Sequence, residues 1–172
     1  MANFLDIVLF ILPAYIANSI PVILGGGRPL DLERKFSDGK RIFGNGKTIR
    51  GFLSGVFGGT VTGGILALVY PTDYFTSPQF QFIASFMLAL GTMTGDACGS
   101  FVKRRMGIES GRQFFLDTVL FVVFALLFAY PFVVVNTAYS IGNVVIILLM
   151  TIVLHPLTNM FANRIGLKNV PW

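Results

Sequence analysis

Cysteine, histidine and tryptophan are scarce in this 172-residue chain, which has one of each. The lone Cys98 excludes an internal disulfide and a multi-cysteine metal site. Charge is scarce too: 12% of residues are charged against 54% hydrophobic, with a mean hydropathy of +0.74, which excludes an ordinary soluble domain. No internal repeat, low-complexity run or soluble linker interrupts the chain. No positive region precedes the first apolar segment, and that segment is long for a signal peptide, so it is expected to be retained as a membrane span. No nucleic-acid recognition motif accompanies the net charge of +5. The basic residues instead lie in short loops between apolar spans, which excludes nucleic acid as a partner and points to membrane topology and anionic ligands.

What the chain has in abundance is apolar runs. A membrane-crossing helix needs roughly 20 mostly apolar residues, and five candidates stand at about 3–24, 51–70, 80–100, 114–135 and 142–162. The expected fold is a single all-α integral membrane domain of five transmembrane helices. Arg28, Arg34, Lys35, Lys40, Arg41, Lys47 and Arg50 fall in loop 25–50, and Lys103, Arg104, Arg105 and Arg112 in loop 101–113. Arg164 and Lys168 lie in the tail, whereas 71–79 and 136–141 hold no Lys or Arg. This alternation predicts the N-terminus outside and the C-terminus in the cytoplasm, with the two basic cytoplasmic loops forming the site.

Pro13 and Pro21 in the first span free backbone carbonyls, either kinking a packed helix or opening a lateral groove in which a lipid could lie. In the loop that follows, GNGKT resembles a phosphate loop, but the glycine that a Walker A motif needs five positions before Gly46 is Arg41. What remains is a glycine-loosened loop delivering Lys47, Thr48 and Arg50 to the start of the second span, where helix N–H groups favour anions. Gly51, Gly55, Gly59 and Gly63 make a smooth stripe on that span. Gly91, Gly95 and Gly99 repeat the pattern on the third, so the two helices are expected to pack against each other.

The stretch from Gly95 to Asp117 is a dense polar insertion between apolar segments. Asp96, Ser100 and Lys103 share one helix face by their spacing. An acid within a span is a functional-site hypothesis by default, since exposure to lipid costs several kcal/mol. Asp117 starts the fourth span at similar depth, so the two carboxylates could converge on one hard cation, or each could pair with a nearby arginine. Oxygen ligands, with the only histidine distant in sequence, favour Mg²⁺ over Zn²⁺. His155, Asn159 and Asn163 form a polar stripe on the fifth span, and a buried hydrogen-bonding role is expected for the histidine. Together these features suit Mg²⁺-dependent handling of a nucleoside triphosphate and a phosphorylated lipid. A phosphate monoester with a second pKa of about 6 is already largely dianionic at neutral pH, so no catalytic base is required.

The series Gly95, Asp96, Ser100, Lys103, Arg104, Arg105, Gly107 and Asp117 resembles the core motif of the CDP-diacylglycerol synthases, and more closely that of their archaeal counterparts, the CDP-archaeol synthases. The run DGKRIFGNGKTIRG from Asp38 to Gly51, the run LPAYIANSIPV in the first span, HPLTN and the Val-Pro-Trp ending are similar to that family too. The resemblance implies a cytidylyltransferase of the cell membrane, with a cytoplasmic site, that uses CTP, Mg²⁺ and 2,3-di-O-geranylgeranylglyceryl phosphate, an isoprenoid ether-lipid phosphate. It implies Asp96 and Asp117 as metal-holding catalytic acids, with Lys103 and Arg104 beside them. Arg105 and Arg112 would hold phosphates together with Ser100, and Asp38, Lys40, Gly46, Lys47, Thr48 and Arg50 would hold the nucleotide. The chain departs from the bacterial pattern at Glu109-Ser110, where a Lys-Asp pair is usual. It departs again after Asp117, where Thr118 and Leu120 stand in place of an arginine and a second acid. Two other readings suit parts of the pattern: a CTP-dependent lipid kinase, and a small transporter in which Asp96 and Asp117 line an ion path. Oligomeric state is not encoded in any motif.

Overall fold

The computed structural model describes residues 3–109, 112, 114–168 and 170. Ser110 and the Pro-Trp of the C-terminal ending, noted above, lie outside these residues. The chain runs α1 (Phe4–Leu24), α2 (Ile49–Val69), α3 (Pro78–Arg105), α4 (Phe115–Ala129), a 3-10 turn (Tyr130–Phe132), the one-turn α5 (Val135–Ala138) and α6 (Ile141–Arg164). Among the described residues, five stretches are long and apolar enough to cross a membrane: α1, α2, α3, α4 with the turn after it, and α6. The architecture is therefore the expected all-α, five-span bundle, with no strand among the described residues.

Helix starts follow local chemistry. Asn3, Thr48, Ser77 and Ser140 cap α1, α2, α3 and α6, each side chain accepting an N–H from the first turn. Helix α3 is the axis of the bundle, packing against α1, α2 and α4. It continues past its apolar portion to Arg105, so Lys103, Arg104 and Arg105 are helical.

Helices α2 and α3 pack against each other as expected, through the α2 glycine row and not the α3 row. The α2 stripe is wedged between α1 and α3: a Cβ on Gly59 would stand 2.6 Å from the Pro13 carbonyl oxygen and 2.6 Å from Ala89 Cβ. The α3 stripe instead faces α4, where a Cβ on Gly95 would stand 2.5 Å from the Leu120 carbonyl oxygen. A helix packed on several sides has more than one contact face, and each glycine row serves a separate backbone approach.

The bundle's two ends differ. One end is closed by Phe10, Tyr74, Phe75 and Tyr139, with ring centroids 5.5–6.2 Å from Phe10. The other carries the first loop, the C-terminal end of α3, the start of α4 and the tail after α6. Helix α1 is continuous through its two prolines, and the Pro21 carbonyl accepts the Gly25 N–H at 2.9 Å as the helix ends.

Candidate active site

The first loop reaches its working shape through Asp31. This side chain is fully shielded from solvent. Its carboxylate accepts from Arg41 Nε at 3.2 Å and Nη2 at 2.5 Å, and from the backbone N–H groups of Glu33, Phe43 and Gly44 at 3.0–3.1 Å. Burial opposes the charge, but the guanidinium and the three N–H groups outweigh it and hold the carboxyl far below the usual range. A second set of contacts fastens the loop to α3. The Arg105 guanidinium lies 5.0 Å from the centroids of both Phe36 and Phe101, pairs with Asp38 at 2.9 Å, and donates to the carbonyls of Lys40 and Arg41. Lys40 Nζ donates back to the Arg105 carbonyl at 3.4 Å. Asp38, Lys40 and Arg105 thus join the loop to the helix.

With the loop so fixed, Lys47 reaches over α3 and donates to both Asp96 oxygens at 2.6 Å. One turn or two further along, Lys103, nearly buried, pairs with Asp117 at the start of α4 at 2.5 Å. The partners of the two acids are lysines, not arginines.

Two adjoining cavities flank these pairs. The first, about 280 Å³, is lined by Gly46, Lys47, Asp96, Ser100, Lys103, Arg104, Arg112 and Asp117, with Thr118, His155, Asn159 and Lys168 completing its polar wall. Five cations face two carboxylates there, and Arg104 Nε is buried without a hydrogen-bond partner. The second, about 390 Å³, extends past Asn18 and Pro21 of α1 and its C-cap Gly25 to the N-cap Thr48 and Gly51 of α2, with apolar Val22, Leu30, Phe52, Met93 and Leu167. Gly46, Lys47, Asp96, His155, Asn159 and Lys168 border both. Pro21 borders this second cavity. Thr48 caps α2 by accepting the Gly51 N–H at 3.0 Å.

Arg50 is not brought to this place. It is exposed on the outer surface of α2 beside Arg28, Leu53 and Phe57. Thr118 and Lys168, by contrast, line the first cavity although no motif marked them. Thr118 adjoins Asp117, a signal that sequence offered; Lys168 arrives by the return of the tail, which spacing does not encode. His155 is the hydrogen-bonded residue expected of it, its Nδ1 3.2 Å from Thr118 Oγ1 and its Nε2 3.3 Å from Asn159 Nδ2. Burial, with the charge of Lys47 adding to it, pushes the Lys168 ammonium below the usual lysine range, against the opposing pull of Asp96 and Asp117.

A five-span bundle with a cation-rich polar cavity at one end, opening beside a half-apolar cleft, defines a membrane-embedded enzyme for phosphorylated substrates. Comparisons specify which. Residues 1–172 match the family described as CarS-like: CDP-archaeol synthase. CDP-archaeol synthases of Pyrococcus abyssi and Pyrococcus furiosus are 48% and 45% identical to the chain, over 95% and 100% of both sequences respectively. That of Methanocaldococcus jannaschii is 41% identical over 95% of this chain and 94% of its own. A solved structure of an intramembrane enzyme for archaeal membrane lipid biosynthesis superposes with a TM-score of 0.79 at 36% identity, covering 92% of this chain and 95% of that one. The chain belongs to the CDP-archaeol synthase family, and as a member it is a multi-pass membrane enzyme of the cytidylyltransferase class.

Proposed function

We propose that the chain transfers the cytidylyl group of CTP to 2,3-di-O-geranylgeranylglyceryl phosphate, giving CDP-archaeol and pyrophosphate at the cytoplasmic face of the membrane. The observation that carries this reading is the pair of cavities meeting at Lys47 and Asp96, one rich in cations and the other half apolar. The triphosphate takes the cation-rich cavity, where Lys103, Arg104 and Arg112 offset its charge with Ser100 beside them. The lipid phosphate enters by the cleft along Pro21 and Met93. Arg105, Asp38 and Lys40 act indirectly, by keeping the loop on α3. Arg50, on the outer face, meets lipid headgroups.

In the transfer, an oxygen of the lipid phosphate bonds to the α-phosphorus of CTP while the bond from that phosphorus to the β-phosphate bridging oxygen breaks. The electron pair leaves with pyrophosphate. The chain's residues align two polyanions and stabilise charge on the leaving oxygen, and the attacking oxygen needs no base.

Asp96 and Asp117 fit a divalent metal. Both are carboxylates on one cavity; His155 lines it too, but its ring nitrogens are engaged by Thr118 and Asn159, and among the described residues no group of three acid, histidine or cysteine side chains forms a metal cluster. That set suits Mg²⁺, which takes one or two carboxylates and completes its sphere with water and substrate phosphates. Asp96 and Asp117 would hold Mg²⁺, which would supply neutralisation of phosphate charge, and Lys47 and Lys103, released from their carboxylates, would turn to the phosphates. The basic loops at the same end support a cytoplasmic site by the positive-inside rule.

The test is incubation of purified protein and the lipid phosphate in detergent with CTP labelled at the α-phosphate and, in a parallel reaction, at the γ-phosphate. Label in the lipid with release of pyrophosphate is expected. Transfer of γ-label instead identifies a lipid kinase, and absence of both with folded protein rejects the reading. Lys47→Ala should raise the KM for CTP more than that for the lipid.

A further inference from the structure

Among the described residues, Lys47 and Lys168 are the two cations that border both cavities. Lys47 stands on the loop leading into α2. Lys168 lies beyond α6 on a tail folded back toward the helix it has just left. The turn is held by backbone bonds, Gly166 N–H to Asn163 oxygen at 3.0 Å and Leu167 N–H to Ala162 oxygen at 2.9 Å, and by Asn163 Nδ2 donating to the Lys168 carbonyl at 2.8 Å.

The Lys168 side chain is placed just as firmly. Its Nζ donates to Asn159 Oδ1 at 2.9 Å. Asn159 Nδ2 can then only donate, so His155 Nε2, 3.3 Å away, is the acceptor. The proton of a neutral imidazole is thereby assigned to Nδ1, which donates to Thr118 Oγ1 at 3.2 Å. The four residues form one directed chain of hydrogen bonds from the tail to α4, ending beside Asp117. A topology-setting charge would do its work in water and would need no aligned partners. Lys168 is instead half-shielded at the cavity junction, with three side chains aligned to it.

We propose that Lys168 is a phosphate-binding catalytic residue at the junction of the two cavities, and that Asn159, His155 and Thr118 are the positioning residues that aim it. This rests on the cytidylyl-transfer reading. In that reaction Lys168 donates hydrogen bonds to phosphate oxygens as the new oxygen–phosphorus bond forms and the bond to pyrophosphate breaks; it transfers no proton. Because the junction is where the two phosphates meet, its contribution is greater in the transition state than in either bound substrate.

Two measurements on the full chain in detergent test this. The first is amine acylation read by mass spectrometry. CTP alone, or a dialkylglyceryl phosphate alone, should slow acylation of Lys168 several-fold. Unchanged Lys168 reactivity while Lys47 becomes protected overturns the proposal. The second is kinetics. Lys168→Met should lower kcat by about 10²–10³-fold with both KM values changing only a few-fold. Lys168→Arg should recover part of the rate, and Asn159→Ala should lower kcat in the same direction. Turnover of Lys168→Met within a few-fold of the parent, or a rise in the CTP KM alone, overturns the proposal. A parent protein that makes no CDP-lipid rejects the cytidylyl-transfer reading instead, and the acylation arm still decides whether Lys168 meets phosphate.

Discussion

Asp31 and Asp96 put one functional group to opposite uses. Asp31 accepts from the Arg41 guanidinium and three backbone N–H groups, so its charge is consumed in shaping the loop. Asp96 faces a cavity with Lys47 as its partner, a pairing that an incoming cation and phosphate can exchange. Removing each should therefore be felt in different assays. Asp96→Asn and Asp117→Asn should each abolish CDP-lipid formation while leaving the thermal unfolding profile in detergent near that of the parent; near-normal turnover at saturating Mg²⁺ would remove that residue from the metal site. Asp31→Asn should instead lower thermal stability, by roughly 1–3 kcal/mol. Since the folded-state pKa of Asp31 is depressed, its contribution is complete above the unfolded value of about 3.9 and fades as pH falls from there toward the folded value. The gap in unfolding temperature between parent and Asp31→Asn should hold steady from neutral pH to about pH 5 and narrow below about pH 4. A gap independent of acid would refute that assignment. Much at this scale was readable: the spacing of Asp96, Ser100 and Lys103 places them on one face, and all three line the cavity. The roles of Asp38 and Arg105 were not, because seating a guanidinium between Phe36 and Phe101 depends on a loop meeting a helix end 65 residues away.

At the level of elements, hydropathy alone gives five helices, because a span must satisfy its own backbone polar groups in lipid and no other open structure does so. Partner choice is less legible. Both glycine rows were visible as close-approach surfaces, yet the α3 row meets α4, since a row of hydrogens specifies closeness without specifying to what. Gly59→Leu should force α2 from α1 and α3 and lower stability by roughly 1–3 kcal/mol, seen as a drop in unfolding temperature; an unchanged temperature would mean that the three helices are not locked at that level. The loop element makes its own prediction. Arg105→Gln should free the first loop from α3, increasing its protease sensitivity and raising the KM for CTP, with stability of the spans unchanged. Loss of kcat without loop exposure would return Arg105 to direct contact with substrate.

The whole molecule is polar at one end and aromatic at the other, and the charge pattern that suggested this is a property of loops, legible before any packing is known. Cysteines placed singly in a Cys98→Ala background should test its orientation. A thiol in 28–50 should react with a membrane-impermeant reagent only after the membrane is opened, whereas one in 71–79 should react in intact cells. The reverse pattern would put the proposed site outside. The aromatic cluster of Phe10, Tyr74, Phe75 and Tyr139 has a further consequence for the membrane around the protein. With these rings packed together at the far end, a lipid that enters by the cleft at Pro21, as proposed, would leave on the same side. Each turnover would deposit its activated lipid in one leaflet, adding area there and none opposite, so equal growth of the two leaflets requires lipid to cross the bilayer by a route other than this protein.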